Sequence, residues 1–159
     1  MSMRKWECYQ NEAKIPVVKQ IIDKFPAKKW IIFNKSIKFA ESIKEAIPNS
    51  EVYHSKMNTE DREKVLENFR TNKTRYLIAV DALNEGLNVP DADGAICVSG
   101  VSKQLVQQQT LGRVTRHRPD KTALYINLVS NSTVEESWVK KRVAGIKNVR
   151  WINNLNAVK

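Results

Sequence analysis

Three polar side chains that could act on phosphate are spaced as on one face of a helix. The stretch is Gln109-Thr110-Leu111-Gly112-Arg113-Val114-Thr115-Arg116. At about 100° per residue, Gln109, Arg113 and Arg116 lie within about 60° of one another. Two guanidinium groups one turn apart suit bidentate recognition of phosphoryl oxygens, and Gly112 beside them would let a backbone or a phosphate approach closely. A solvated basic face with an incidental glycine is the alternative that this geometry leaves open.

The sequence contains no loop of the kind that cradles phosphate. A P-loop needs Gly-Lys-Ser or Gly-Lys-Thr, but the five glycines are followed by Leu, Ala, Val, Arg and Ile. No Asp-Glu pair is available to hold the magnesium of a nucleotide. His54 and His117 lack the spacing of metal ligands. We therefore expect no metal site in this chain.

The charge of the chain is basic and unevenly distributed. Its 159 residues carry 27 Lys+Arg and 17 Asp+Glu, a formal net charge of +10. Residues 1–50 carry 10 basic and 5 acidic side chains, residues 51–102 carry 6 and 9, and residues 103–159 carry 11 and 3. Such an imbalance favours a polyanionic partner, usually nucleic acid. Basic charge that serves solubility alone is the other interpretation.

Several classes of protein are excluded by composition. No apolar run approaches the roughly 20 residues that span a bilayer, so we expect no membrane association. The first residues lack the apolar core of a secretory signal. Two cysteines, Cys8 and Cys97, cannot build a disulfide framework. A reducing, cytoplasmic location is therefore expected.

Helical and strand-like apolar patterns alternate along the chain, and these elements must position the polar groups. Apolar runs predict strands at 30–33, 76–80, 95–98 and 123–129, and Glu51-Val52-Tyr53-His54 is predicted as a short strand. Helical spacing predicts helices around 18–25, from a Ser36 cap to Pro48, from an Asn58 or Thr59 cap through Phe69, at about 103–116, and from Thr133 through Val143. This alternation predicts an α/β fold of three layers, with a mostly parallel sheet and helices on both faces. Ligands of such sheets bind beyond the carboxyl ends of the strands.

Three segments resemble the motifs of superfamily-two helicases, and they follow one another along the chain in the family's order. Trp30 to Ser36 resembles motif IV, Val80 to Pro90 resembles motif V, and Gln-x-x-Gly-Arg-x-x-Arg at 109–116 resembles motif VI. The segment His54-Ser55-Lys56-Met57 is similar to the one that follows the next strand in those enzymes. The resemblance spans residues 15–145, and it implies the second RecA-like domain of a two-domain motor. Residues 1–159 would then be one domain with a core at 15–145 and a C-terminal extension at 146–159.

The resemblance also implies roles for individual residues. Arg116 would be the arginine finger on ATP and Arg113 its companion at the γ-phosphate, and Gln109 would help order the interface around the attacking water. Gly86, Asn88 and Gly112 would lie near the nucleotide. The residues facing nucleic-acid phosphates would be Ser36, Ser55, Val80 and Asp81. ATP and Mg²⁺ would be held mainly by a P-loop-bearing first domain, which is the expected protein partner.

Two departures from the family pattern concern the expected contacts. Val80 stands where motif V often has Thr, which leaves only backbone for a phosphate, and Asn88 stands where Asp is common. Glu85 before Gly86 differs from the Arg typical of DEAD-box RNA helicases. Asn-Glu-Gly is more similar to DNA repair and restriction helicases, so DNA is favoured over RNA.

The sequence is thus interpreted as the C-terminal motor domain of an ATP-dependent DNA helicase or translocase, located in the cytoplasm with the nucleoid, or in a nucleus. Without a P-loop the chain alone is predicted to be inactive as an ATPase. The alternative is a non-catalytic nucleic-acid-binding or regulatory module with a helicase-like fold. Arg150-Trp151 and Lys140-Lys141-Arg142 are candidate base-stacking and phosphate contacts, with a solvated tail as the other interpretation.

Overall fold

Helices and strands alternate along the chain as predicted. The structure, a computed structural model, describes residues 11–81, 91–99, 124–130, 133–146, 149–154 and 156. Within these ranges the helices are α1 (Lys14–Lys24), α2 (Ile37–Ala46), α3 (Thr59–Arg70) and α4 (Val134–Val143). The strands are β1 (Trp30–Asn34), β2 (Ser50–Tyr53), β3 (Tyr76–Val80), β4 (Gly94–Cys97) and β5 (Leu124–Asn127). The helix predicted at about 103–116 lies outside the described residues.

The five described strands form one parallel sheet. Their order is β2-β3-β1-β4-β5, and each neighbouring pair is parallel. The first strand of the chain thus lies at the centre, where Ile32 pairs with Ile78 on one side and Ile96 on the other. All carboxyl ends meet at one edge of the sheet, which we call the carboxyl edge.

The sheet is buried on both faces, because successive side chains of a strand point to opposite sides. One face packs against α1 and α2 in a cluster that includes Val18, Ile21, Phe39, Ile43, Trp30, Ile32, Ile78 and Ile96. The other face packs against α3 in a cluster that includes Val65, Leu66, Phe69, Ile31, Phe33, Leu77 and Ala95. The predicted three-layer α/β fold is confirmed.

Three of the helices begin at the caps that the sequence predicts. The Ser36 hydroxyl accepts a hydrogen bond from the N–H of Phe39 at 3.2 Å, and Asn58 Oδ1 accepts one from Asp61 at 2.7 Å. Thr133 Oγ1 accepts from the N–H of Glu135 at 3.2 Å. Each cap satisfies one of the amide groups that the first turn of a helix leaves unpaired.

Glu135, in the first turn of α4, turns into the protein instead of facing solvent. Its carboxylate accepts from Lys14 Nζ at 2.6 Å and from the N–H of Ser130 at 2.9 Å. Lys14 Nζ also donates to the carbonyl of Val98 at 2.7 Å. The ion pair is buried, with exposed fractions of 5% for Lys14 and 2% for Glu135. It ties the starts of α1 and α4 to the carboxyl end of β4.

At the opposite edge of the sheet, β4 begins close to the side chain of Trp30. Gly94 pairs with Trp30 in the ladder, and a Cβ at Gly94 would overlap the six-membered ring of the indole. Glycine is therefore required at this position, because the indole ring of Trp30 leaves no room for a Cβ atom.

None of the helices in the described parts of the chain combines the length and apolar character that crossing a membrane requires.

Candidate nucleic-acid interface

The residues predicted to act on ATP lie outside the described part of the chain. They are Gln109, Gly112, Arg113, Arg116, Gly86 and Asn88. Their roles stay predictions. The four residues predicted to face nucleic acid, Ser36, Ser55, Val80 and Asp81, are all described, and each lies at or just beyond the carboxyl edge.

Lys35 connects three of the loops that leave the carboxyl edge. Its ammonium group lies 2.7 Å from Asp81 Oδ1, just beyond β3. Its backbone N–H donates to the hydroxyl of Ser99, just beyond β4, at 2.9 Å. Because β1 lies between β3 and β4, one residue following β1 can reach both neighbours. The described residues that directly follow β1, β3 and β4 are thereby held to one another.

Asn34, the last residue of β1, organises the backbone at this point. Its Oδ1 accepts from the N–H of Ser36 at 2.9 Å, and its carbonyl accepts from the N–H of Asp81 at 3.2 Å. The first contact is the local turn that asparagine side chains favour. The side chain is buried, and its Nδ2 has no hydrogen-bond partner among the residues that the structure describes. Asn34 therefore holds Ser36 at the start of α2.

Ser36 lies at the N-terminus of α2 with its hydroxyl used as the cap. Helix N-termini favour anions, because unpaired amide groups and the helix dipole both present positive charge there. Ser36 itself is buried, with an exposed fraction of 4%. The hydroxyl oxygen of Ser36, which is predicted to face phosphate, therefore already accepts a hydrogen bond from the N–H of Phe39.

Asp81 has a left-handed backbone, with φ of 52°. Aspartate and asparagine adopt this region more readily than other non-glycine residues. The backbone after Val80 was predicted to face phosphate, but the Asp81 N–H donates to Asn34 and its carboxylate pairs with Lys35. In this structure Asp81 therefore neutralises a cation at the carboxyl edge.

Ser55 is exposed on the same edge but away from the Lys35 contacts. It lies in a turn after β2, in which the N–H of Met57 donates to the carbonyl of His54 at 3.2 Å. The strand β3 separates β2 from β1, so the ends of β1 and β2 are about 10 Å apart at the usual strand spacing. Lys56, beside Ser55, is also exposed.

Sequence reasoning identified Ser36 and Asp81 but missed Asn34 and Lys35, which contact them, and Ser99, which accepts from the N–H of Lys35. A signal was present in Asn34-Lys35-Ser36, because an asparagine two residues before a helix start commonly forms this turn. No local signal reveals the Lys35–Asp81 pair, since it depends on β1 and β3 being neighbours. Nor does local sequence reveal Lys14 as the partner of Glu135.

A family model supports the motif resemblance. The model described as helicase conserved C-terminal domain matches residues 13–118. This range contains β1 to β4, the carboxyl-edge residues around Lys35, and the predicted arginine stretch.

Curated relatives match most of this chain but only a part of their own length. The DNA 3'-5' translocase XPB2 of Sulfurisphaera tokodaii is 31% identical over 134 residues, which cover 83% of this chain and 30% of that protein. The putative DNA 3'-5' helicase Rad25 of Haloarcula marismortui is 28% identical over 145 residues, covering 88% of this chain and 22% of that protein. The chain thus spans less than a third of either relative.

Solved structures share the fold at low sequence identity. The C-terminal domain of the DEAD-box protein Dbp5 superposes with a TM-score of 0.77 at 16% identity, over 90% of this chain and 83% of that one. A DEAD box protein from Methanococcus jannaschii gives a TM-score of 0.72 at 18% identity, over 87% of this chain and 38% of that one. With the motif order, the family match and this RecA-like architecture in agreement, the chain belongs to the helicase conserved C-terminal domain family.

Proposed function

We propose that this chain is the C-terminal motor domain of an ATP-dependent DNA helicase or translocase, which supplies arginine fingers to ATP and contacts to the DNA strand. The observation that carries the proposal is the family match over residues 13–118, because it includes both the carboxyl edge and the arginine stretch. The names of the curated relatives support DNA as the nucleic acid, as does the Asn84-Glu85-Gly86 segment.

The ATP site is shared with a P-loop-bearing first domain in this proposal. Arg113 and Arg116 offer guanidinium groups, whose planar donors fit phosphoryl oxygens. Arg116 stabilises the charge that develops on the transferring phosphoryl group, a role worth about 10³–10⁵ in rate. Gln109 orders the attacking water. ATP and Mg²⁺ are held mainly by the first domain, so the chain alone is expected to hydrolyse no ATP.

The DNA contacts lie at the carboxyl edge. Lys35 supplies a cation, the start of α2 at Ser36 supplies a positive helix end, and Ser55 with Lys56 extends the surface toward β2. Phosphate contacts of this kind position a strand but carry no sequence information. We therefore expect binding without sequence preference, as a motor that moves along DNA requires.

The decisive experiment measures DNA-stimulated ATP hydrolysis by this chain joined to its first domain. The variants are Arg113→Ala, Arg116→Ala and Arg116→Lys, with Lys19→Ala on the exposed side of α1 as a control that removes one distant cation. We expect Arg116→Ala to lower kcat by at least about 10³, since fingers act on transition-state charge. Arg116→Lys should not rescue it, because lysine lacks the planar fork.

Nucleotide affinity should change much less than turnover in Arg116→Ala. If that variant stayed folded and hydrolysed ATP at the wild-type rate, the motor assignment would be wrong. The alternative, a non-catalytic nucleic-acid-binding or regulatory module, would then be favoured. ATP turnover by the isolated chain that scaled with its concentration, and was unchanged in Arg113→Ala and Arg116→Ala, would contradict the shared site.

A further inference from the structure

A tryptophan lies exposed beside the end of α4, outside the range matched by the family model. Trp151 has an exposed fraction of 54%, and its neighbours Val149 and Ile152 are also exposed. Trp30, by contrast, is completely buried in the core. Trp151, together with Lys140 and Lys141 on α4, forms what we call the Trp151 platform.

A lysine lies against the exposed indole. Lys140 Nζ is 6.0 Å from the centroid of the Trp151 ring, within the range of a cation–π contact. The indole lies beside α4 with about half of its residue surface exposed. The platform thus presents an aromatic ring and cationic charge side by side.

The C-terminal segment that carries the platform is basic in sequence. Residues 133–159 contain six Lys or Arg and two glutamates. One of those glutamates, Glu135, is buried in its pair with Lys14 and adds little negative charge to the surface. Lys140, Lys141 and Arg150 are exposed. This charge complements a polyanion and disfavours a basic protein surface, including a second copy of this chain.

We propose that the Trp151 platform binds single-stranded DNA, with an unpaired base stacked on Trp151 and adjacent phosphates near Lys140 and Lys141. The choice of DNA rests on the proposed function. Aromatic rings beside basic groups are the usual components of sites for single strands, because every base has a stacking face and every nucleotide a phosphate. In a duplex the bases are already stacked on one another, so the platform selects unpaired bases.

The platform is a separate contact from the carboxyl edge. Glu135, in the first turn of α4, lies near the carboxyl end of β4 through the shared contact with Lys14. Lys140 follows five residues later, about 7.5 Å farther along the helix axis. A DNA strand bound at both the platform and the carboxyl edge would keep one contact when a substitution removed the other.

The test uses fluorescence anisotropy of a labelled 20-nucleotide oligothymidylate titrated with the full chain at low salt. We expect Trp151→Ala to weaken binding about tenfold, in line with the loss of one stacked base. Trp151→Tyr keeps an aromatic ring and should stay within about threefold of wild type. Ile152→Ala, which removes exposed apolar surface without a ring, is the matched control and should also stay within about threefold.

A blunt 20-base-pair duplex provides a second comparison. Its affinity should change less than threefold in Trp151→Ala, since its bases are not free to stack. Unchanged binding of the oligothymidylate by Trp151→Ala, or no binding by wild type, would overturn the proposal. Self-association of the chain in sedimentation runs that was lost in Trp151→Ala, with DNA affinity unchanged, would assign the platform to a second copy and also overturn it.

Failure here is distinguishable from failure of the proposed function. If ATPase activity of the two-domain protein depended on Arg116 but Trp151→Ala bound oligothymidylate normally, the platform proposal would be wrong and the motor proposal would stand. If the activity did not depend on Arg116 but Trp151→Ala lost binding, the motor proposal would be wrong and the platform proposal would stand.

Discussion

Lys14 carries its charge inside the protein, where it pairs with Glu135 and donates to the carbonyl of Val98. Removing one member of a buried pair leaves the other charge without compensation, which typically costs about 3–5 kcal/mol. We expect Lys14→Met to lower the free energy of unfolding by that amount in urea denaturation. Lys14→Met combined with Glu135→Leu should recover part of the loss, because no buried charge then remains.

Lys19→Met is the matched control for this prediction, since Lys19 is exposed on the same helix. It should change the free energy of unfolding by less than about 0.5 kcal/mol. Equal effects of the two Met substitutions would show that the buried pair contributes nothing beyond helix propensity.

Asp81 places a negative charge on an edge proposed to bind DNA. Its pair with Lys35 is partly exposed, so it contributes at most about 1 kcal/mol to stability. Asp81→Asn keeps a residue that tolerates the positive φ. We expect it to raise DNA affinity and to steepen the log–log salt dependence by about 0.7–0.9, as for one additional phosphate contact. Anisotropy titrations over a range of salt concentrations measure both.

Asp23→Asn removes the same charge from an exposed position near the end of α1, at the opposite edge of the sheet. It should leave the salt slope unchanged. A decrease in DNA affinity with Asp81→Asn would contradict the idea that Asp81 competes with phosphate for Lys35.

At the scale of the elements, the N-terminus of α2 combines a structural role with a proposed binding role. Ser36 caps this helix and also lies where phosphate is proposed to bind. Ser36→Ala should cost about 1 kcal/mol of stability through loss of the cap. Ser36→Asp retains a capping oxygen but places a charged carboxylate at a position only 4% exposed, so it should also lower stability, and only this variant adds a negative charge that should weaken DNA binding.

The two substitutions therefore separate folding from binding, by urea denaturation and by DNA titration of the same samples. If Ser36→Asp bound DNA as well as wild type, the helix start would not lie at a phosphate.

The pairing of β1 with β4 depends on the contact between Gly94 and Trp30. Gly94→Ala places a methyl group into the indole, and such overpacking typically costs about 1–3 kcal/mol. A double-mutant cycle with Trp30→Leu tests the cause, because the smaller side chain leaves room for the methyl group. Gly94→Ala should then cost much less in the Trp30→Leu background, as measured by thermal or urea unfolding. Equal cost in both backgrounds would place the clash elsewhere.

Sequence reasoning predicted the elements well because their signals are local. Buried parallel strands such as Trp30-Ile31-Ile32-Phe33 are continuously apolar, and the caps Ser36 and Asn58 precede apolar residues at helical spacing. The ends of strands were predicted less accurately, because a strand ends where its hydrogen bonds to the neighbouring strand end. The strand β2 begins at Ser50, whereas 51–54 was expected, and β5 ends at Asn127, whereas 123–129 was expected.

Contacts between elements could not be predicted in the same way. Lys35 meets Asp81 because β3 lies beside β1, and the order of strands in a sheet is not written in any one segment. Glu135 follows a predicted helix cap, but nothing in the local sequence indicates its buried pair with Lys14, which lies 121 residues away along the chain. The carboxyl edge was therefore predicted in position but not in its internal contacts.

At the scale of the whole molecule, the net charge of +10 determines the salt dependence expected of the proposed DNA binding. Binding to phosphates releases counterions, so affinity should fall with salt at a log–log slope of about −0.7 to −0.9 for each contact. Titrations of unrelated oligonucleotides from low to physiological salt should show this loss and similar affinities among sequences. An affinity independent of salt, or a strong preference for one sequence, would contradict electrostatic binding by the basic residues in 1–50 and 103–159.

The central position of β1 also has a consequence for synthesis of the chain on the ribosome. Trp30 pairs with Tyr76, which is translated 46 residues later, and with Gly94 after that. At a translation rate of about 5–20 residues per second, β3 is synthesised roughly 2–9 s after β1, and until then the apolar strand lacks its partner. During that time it resembles the short apolar segments that aggregate. Lys28 and Lys29 precede it and Lys35 follows it, so like-charge repulsion between nascent chains would protect the strand until β3 arrives.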